Sequence, residues 1–200
     1  MVRNKSVRRQ DCSVAAVENF NQRLDDRGQS NVTTTKYSLT ARILHWISAT
    51  VIIWATITGF FLATLDADSE LRAFLSFLNV SLTTTFMPVF IIRVIYSARS
   101  NKPQEIDMPG WQQTAARAAH LSLYLVTGSV LTSGLLMMQH DISLFSLVSL
   151  PNPVSNLDWN EAFYRVHRYS CMALFMLVGL HVAAVIRHQR QGRNVLAQMI

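Results

Sequence analysis

Charge is scarce in this chain, and it is missing where the apolar residues are densest. Only 15% of the 200 residues are Asp, Glu, Lys or Arg, against 50% apolar, a balance that argues against an ordinary soluble domain and for a membrane protein. Cysteine is nearly absent. Cys12 lies in a polar stretch and Cys171 in an apolar run, with no CxxC pair between them, so neither a thiolate zinc site nor a disulfide framework is expected. The net charge is +6. Its basic residues cluster at the ends of apolar runs rather than on a polar helix face, so nucleic acid is not the expected partner. No segment repeats at a fixed period.

Four uncharged runs remain: Ile43 to Leu65, Ala73 to Ile92, Ala118 to Met138 and Tyr169 to Ile186. A helix needs roughly 20 apolar residues to cross the hydrocarbon core. With flanks in the headgroup layer, the runs predict transmembrane spans over 43–65, 73–96, 118–139 and 163–187, and hence an all-α integral membrane four-helix bundle. A cleavable leader is not expected, because the first run is long for one and begins well inside the chain. Residues 1–36 are polar and without apolar periodicity, which predicts a disordered tail ahead of a transmembrane domain over 37–200. Ile142 to Leu150 is too short to span and runs into Pro151 and Pro153, so it is expected along the surface. Pro88 should kink the second helix, with the freed carbonyl covered by the Ser and Thr cluster of Ser81 to Thr85.

The connections set the orientation. Eight Lys or Arg precede the first span, Arg99, Lys102 and Arg117 border the second connection, and Arg187, Arg190 and Arg193 follow the fourth span. The first connection carries Asp66, Asp68 and Glu70 against Arg72, and the third has no Lys or Arg from Gln139 to Asn160. The positive-inside rule then places both termini in the cytoplasm.

Histidine inside a bilayer is costly and commonly functional. His45, His120, His167 and His181 fall within or at the edge of the spans, with His140 and His188 near their ends. His167, His181 and His188 are spaced by fourteen and seven residues, which keeps all three on nearly one helix face. His167 and His181 are then about 21 Å apart along the axis, one near each side of the membrane, which is the layout for two stacked redox sites. Two imidazoles from facing helices fill both axial positions of a haem iron. His45, early in the first span, lies at the depth of His181, late in the fourth. Arg42 and Arg187 are cations for haem propionates or helix-end residues that snorkel. Gly59, Gly128, Gly134 and Gly179 would admit a macrocycle or a neighbouring helix.

Tyr37-Ser38, Ala41-Arg42 and Leu44-His45-Trp46 at the start of the first span, with Gly179-Leu180-His181 in the fourth, resemble signatures of the bacterial cytochrome b561 and nickel-hydrogenase b-type cytochrome family. The likeness covers about residues 36–200. It implies a haem b on the cytoplasmic side with His45 and His181 as axial ligands and Arg42 as a propionate contact. It also implies quinone exchange beside His120 and His188, in a bacterial inner membrane. A second, outer haem would fall to Asn79 and His167. Asparagine is not a usual haem ligand, and Thr83 one turn on fills space that a glycine would leave, so one haem is expected. In the alternative with two, His167 ligates the outer iron, and His140, about 30 Å beyond His120 on a continuous third helix, is a further partner at its level.

The expected function is that of a membrane b-type cytochrome passing electrons between the quinone pool and a redox partner protein or subunit, in contact with lipid. Two other classes stay open. A degenerate family member would anchor or assemble another oxidoreductase, and a small proton-coupled carrier would use the histidine stripe as a relay, although no span shows the paired broken helices of such carriers.

Overall fold

The computed structural model describes residues 37–100, 109–192 and 196; the polar tail over 1–36, expected to be disordered, lies outside them. Four helices dominate: α1 (Leu39–Leu62), α2 (Glu70–Arg99), α3 (Gly110–Leu136) and α4 (Leu157–Arg190). All four are long and apolar enough to cross a membrane. A two-stranded hairpin, β1 (Ile142–Leu144) and β2 (Val148–Leu150), separates α3 from α4.

Three helices start at side-chain caps that satisfy their first amides. Ser38 Oγ accepts from the Ala41 amide, Ser69 Oγ from that of Arg72, and Asn156 Oδ1 from those of Asp158 and Trp159. Glu70 and Asp158 lie in first turns, while Arg99, Arg187 and Arg190 lie in last turns, each sign matching the helix dipole. The expected spans 43–65, 73–96, 118–139 and 163–187 fall on α1, α2, α3 and α4 in turn. Expected spans 43–65 and 118–139 overrun α1 and α3, which end at Leu62 and Leu136, because an apolar run marks hydrocarbon rather than helix. At 34 residues, α4 is about 51 Å long, so its polar ends stand clear of a core about 30 Å thick.

α1 packs on α2, α3 packs on α4, and a lighter α2–α3 seam joins the pairs. Phe86, Phe90 and Leu131 are buried in that seam with Tyr124 and Met87 against them. Most other large apolar residues face outward, among them Ile57, Ile92, Leu125, Met176 and Leu180, as lipid-facing residues do. Small polar residues fill the interior instead. Ser48, Thr58 and Ser133 are buried, and each hydroxyl bonds a carbonyl one turn back, Leu44, Trp54 and Ser129 respectively. A hydroxyl satisfied within its own helix costs little in hydrocarbon, and its small size lets backbones approach.

The segment expected to lie along the surface is a hairpin docked on α2. Ile142 is 1% exposed. Ser81 Oγ donates to the Ser143 carbonyl at 3.2 Å and accepts from the Phe145 amide at 3.1 Å. Phe145 and Ser146 have φ of 49° and 59°, the left-handed region that non-glycine residues enter at a cost of about 1 kcal/mol each. Ser81 is thus a docking residue, and Thr83 Oγ1 bonds Asn79 O at 2.7 Å; neither hydroxyl covers the carbonyl freed by Pro88.

Candidate functional site

One end of the bundle gathers the histidines. Ser38 Oγ, at the α1 cap, is 2.7 Å from Tyr96 Oη late in α2, which sets the two helix ends level. One turn inward, Arg93 of α2 reaches His45 of α1: its Nη2 lies 3.1 Å from His45 Nδ1 and its Nη1 3.5 Å from the His45 carbonyl. The Arg93 guanidinium also lies over the Tyr124 ring of α3, 5.6 Å from its centroid. His120 of α3 and His181 of α4 meet edge to face with ring centroids 5.4 Å apart. His45 is within electrostatic reach of Arg93, His181 and His120. All four helices therefore contribute to one cluster, and each of its three imidazoles comes from a different helix.

The residues around the cluster carry polar atoms with unmet needs. Arg42 Nε and His188 Nδ1 are buried without a hydrogen-bond partner. Arg42 lies one turn before His45, and His188 two turns beyond His181 on the same face of α4. His120 Nδ1 donates to the Ala116 carbonyl at 2.7 Å, which in a neutral ring puts the lone pair on Nε2.

The other end is arranged differently. Asn79 Oδ1 accepts from the Thr58 hydroxyl at 3.1 Å, joining α2 to α1. His167 turns toward α3, with Nδ1 3.0 Å from the Val130 carbonyl and 3.4 Å from Ser133 Oγ, while its Nε2 lies 3.4 Å from Cys171 Sγ. A Cβ at Gly134 would come within 3.1 Å of His167 Cε1, so the histidine packs closely against the glycine and would have to shift slightly to admit a side chain there. Gly128 likewise faces the Phe90 ring, whereas a Cβ at Gly59 or Gly179 would meet nothing within 4 Å. The third helix does not carry His140, which is exposed in the loop after Leu136.

Arg93, Tyr96 and Tyr124 were not singled out by sequence reasoning. Arg93 had a legible signal, being the one charged residue within the expected span 73–96, and such a residue in a span points to the bundle interior. Nothing in the sequence marks the two tyrosines.

A four-helix membrane bundle with imidazoles from separate helices converging at one depth is of the class that holds a redox cofactor between its helices. Residues 36–200 match the family described as prokaryotic cytochrome b561. "Cytochrome b561 homolog 2" of Escherichia coli (strain K12) is 24% identical over 163 residues, covering 78% of this chain and 86% of that protein. The chain belongs to the prokaryotic cytochrome b561 family. Membership makes it a multi-pass bacterial membrane protein and a b-type cytochrome, an electron carrier for which the family implies b-type haem. The residues at the histidine end fit that group: neutral nitrogen donors on separate helices suit an iron, and the unpartnered Arg42 Nε suits a carboxylate.

Proposed function

We propose that the chain holds one haem b between His45 and His181 and passes electrons between the quinone pool and a redox partner protein or subunit in the bacterial inner membrane. The observation that carries this reading is the cluster of His45, His120, His181 and Arg93 at one depth, built from all four helices. When bound, the haem supplies reversible one-electron exchange at its iron. The chain supplies the ligands and their orientation. His45 and His181 would hold the iron, and Arg42 would offer its unpartnered Nε to a propionate.

A single haem is supported by the other end. Asn79 already bonds Thr58, and both ring nitrogens of His167 face protein partners. His120 and His188 form the quinone side of the site. Quinone reduction takes up protons with its electrons, and an imidazole can hold a proton and hand it on. The Lys and Arg content of the connections at this end supports a cytoplasmic position for it and for both termini.

The test is a reduced-minus-oxidised spectrum with haem counted per chain in purified wild type, His45→Ala, His181→Ala and His167→Ala. One haem, lost in the first two variants and kept in the third, is the expected result. A wild type with no haem would shift the reading to an anchoring or assembly subunit or a proton-coupled carrier, and two haems would give His167 an iron.

A further inference from the structure

We propose that Arg93 is the main cationic anchor for the carboxylates of the porphyrin, and that its guanidinium exchanges the His45 ring for a carboxylate when that ring ligates iron. The inference rests on the haem reading above. Arg93 lies about 9 Å inside the end of α2 by helical rise, yet its side chain does not run toward that end. It crosses to His45 on α1 and lies over the Tyr124 ring on α3, held inward by two neighbouring helices.

Among the described residues, no counter-charge stands beside that position. The acids among them are Asp66, Asp68, Glu70, Asp141, Asp158 and Glu161, all in the connections or the first two helical turns at the hairpin end. The groups that Arg93 does touch are an imidazole nitrogen, a carbonyl and an aromatic face. None carries negative charge. A cation at membrane depth is costly unless an anion shares its surroundings, so the arrangement suits an anionic ligand, and Arg42 Nε adds a second donor with no partner. A quinone has no acid to offer, whereas haem b carries two propionates.

Hydrogen-bond chemistry supplies the exchange. A guanidinium only donates, so His45 Nδ1 accepts from Arg93 and the neutral ring carries its hydrogen on Nε2. Iron requires a ring lone pair. Ligation through Nδ1 would take the atom that Arg93 occupies. Ligation through Nε2 would move the hydrogen to Nδ1, where it would face the guanidinium donor to donor. Either route makes Arg93 withdraw with its charge intact, and the Tyr124 face keeps it within the cluster. No proton or electron is lost in the exchange.

The experiment uses the full chain, purified without haem in detergent and titrated with haem b and with the dimethyl ester of the same porphyrin, in wild type, Arg93→Gln and Arg93→Lys. The expected wild type prefers the diacid. Arg93→Gln loses about ten- to a hundredfold of diacid affinity, as for one charge-assisted contact, and keeps its ester affinity, while Arg93→Lys retains most of the preference. An Arg93→Gln protein with undiminished preference, or a wild type that binds both porphyrins equally, would overturn the inference while leaving haem binding in place. If Arg93→Gln binds neither, Arg93→Lys decides: the wild-type preference supports the anchor, and its loss overturns it. A wild type that binds neither porphyrin sinks the haem reading and this inference together.

Discussion

The contact between Gly134 and His167 sets the α3–α4 seam, and enlarging residue 134 in two steps should measure it. A Cβ at Gly134 would lie 3.1 Å from His167 Cε1 and 3.3 Å from Nδ1, so alanine asks the ring to move by a few tenths of an ångström. The ring has that much freedom, since its bond to the Val130 carbonyl is 3.0 Å long and can lengthen without breaking. Alanine also gains roughly 1 kcal/mol of helix propensity over glycine. These effects nearly cancel, and Gly134→Ala should stay within about 1 kcal/mol of wild type. Valine places two further carbons in a space already tight for the first. Its overpacking costs about 1–3 kcal/mol, and pushing His167 off Val130 leaves a buried donor unpaired for a similar cost. A total near 3 kcal/mol lowers Tm by about 6–12 °C, read by thermal unfolding in detergent. Gly134→Val combined with His167→Ala should recover part of the loss, because the clash and its victim are then removed together. A Gly134→Val protein within about 2 °C of wild type, or a double variant no more stable than Gly134→Val alone, would refute this account. In the one-haem reading none of these variants changes the haem content.

Ser81→Ala removes both hydrogen bonds to the hairpin. Ser143 and Phe145 are exposed, so water takes over and the cost is about 1–2 kcal/mol; faster proteolysis at the hairpin is expected, and an unchanged cleavage rate would remove Ser81 as the clasp. His120→Gln and His188→Gln should keep one haem per chain and slow quinone turnover about a hundredfold or more, whereas loss of haem in either would move that residue from the quinone side to the iron. Arg42→Gln takes a positive charge from beside His45, which favours ferric iron, so a redox titration should show a lower midpoint potential than wild type. Replacing Tyr124 by leucine removes the ring beneath Arg93, worth about 0.5–2 kcal/mol, and should lower Tm without removing haem.

The four helices were legible because each needs only a local property, about 20 residues without charge, and membrane burial leaves few other structures for such a run. His45, His120 and His181 were legible for a related reason: an imidazole in a span stands out against its neighbours, and helical periodicity gives its depth. The exact helix ends were not, since Leu62 and Leu136 are as apolar as the residues that follow them. The hairpin was also hidden. Its short run is compatible with a surface segment until Ser81, more than sixty residues away, supplies both a donor and an acceptor to it.

What the sequence determined alone was how many times the chain crosses the membrane and at what depth the histidines within the spans lie, because hydropathy and helical rise are properties of single segments. Only the tertiary structure decided how those histidines face. His45 meets Arg93, His181 meets His120, and His167 turns onto Gly134 and the Val130 carbonyl. A side chain's partner depends on how each helix is rotated against its neighbours, and that rotation is set by small residues and cross-helix hydrogen bonds contributed by all four segments at once.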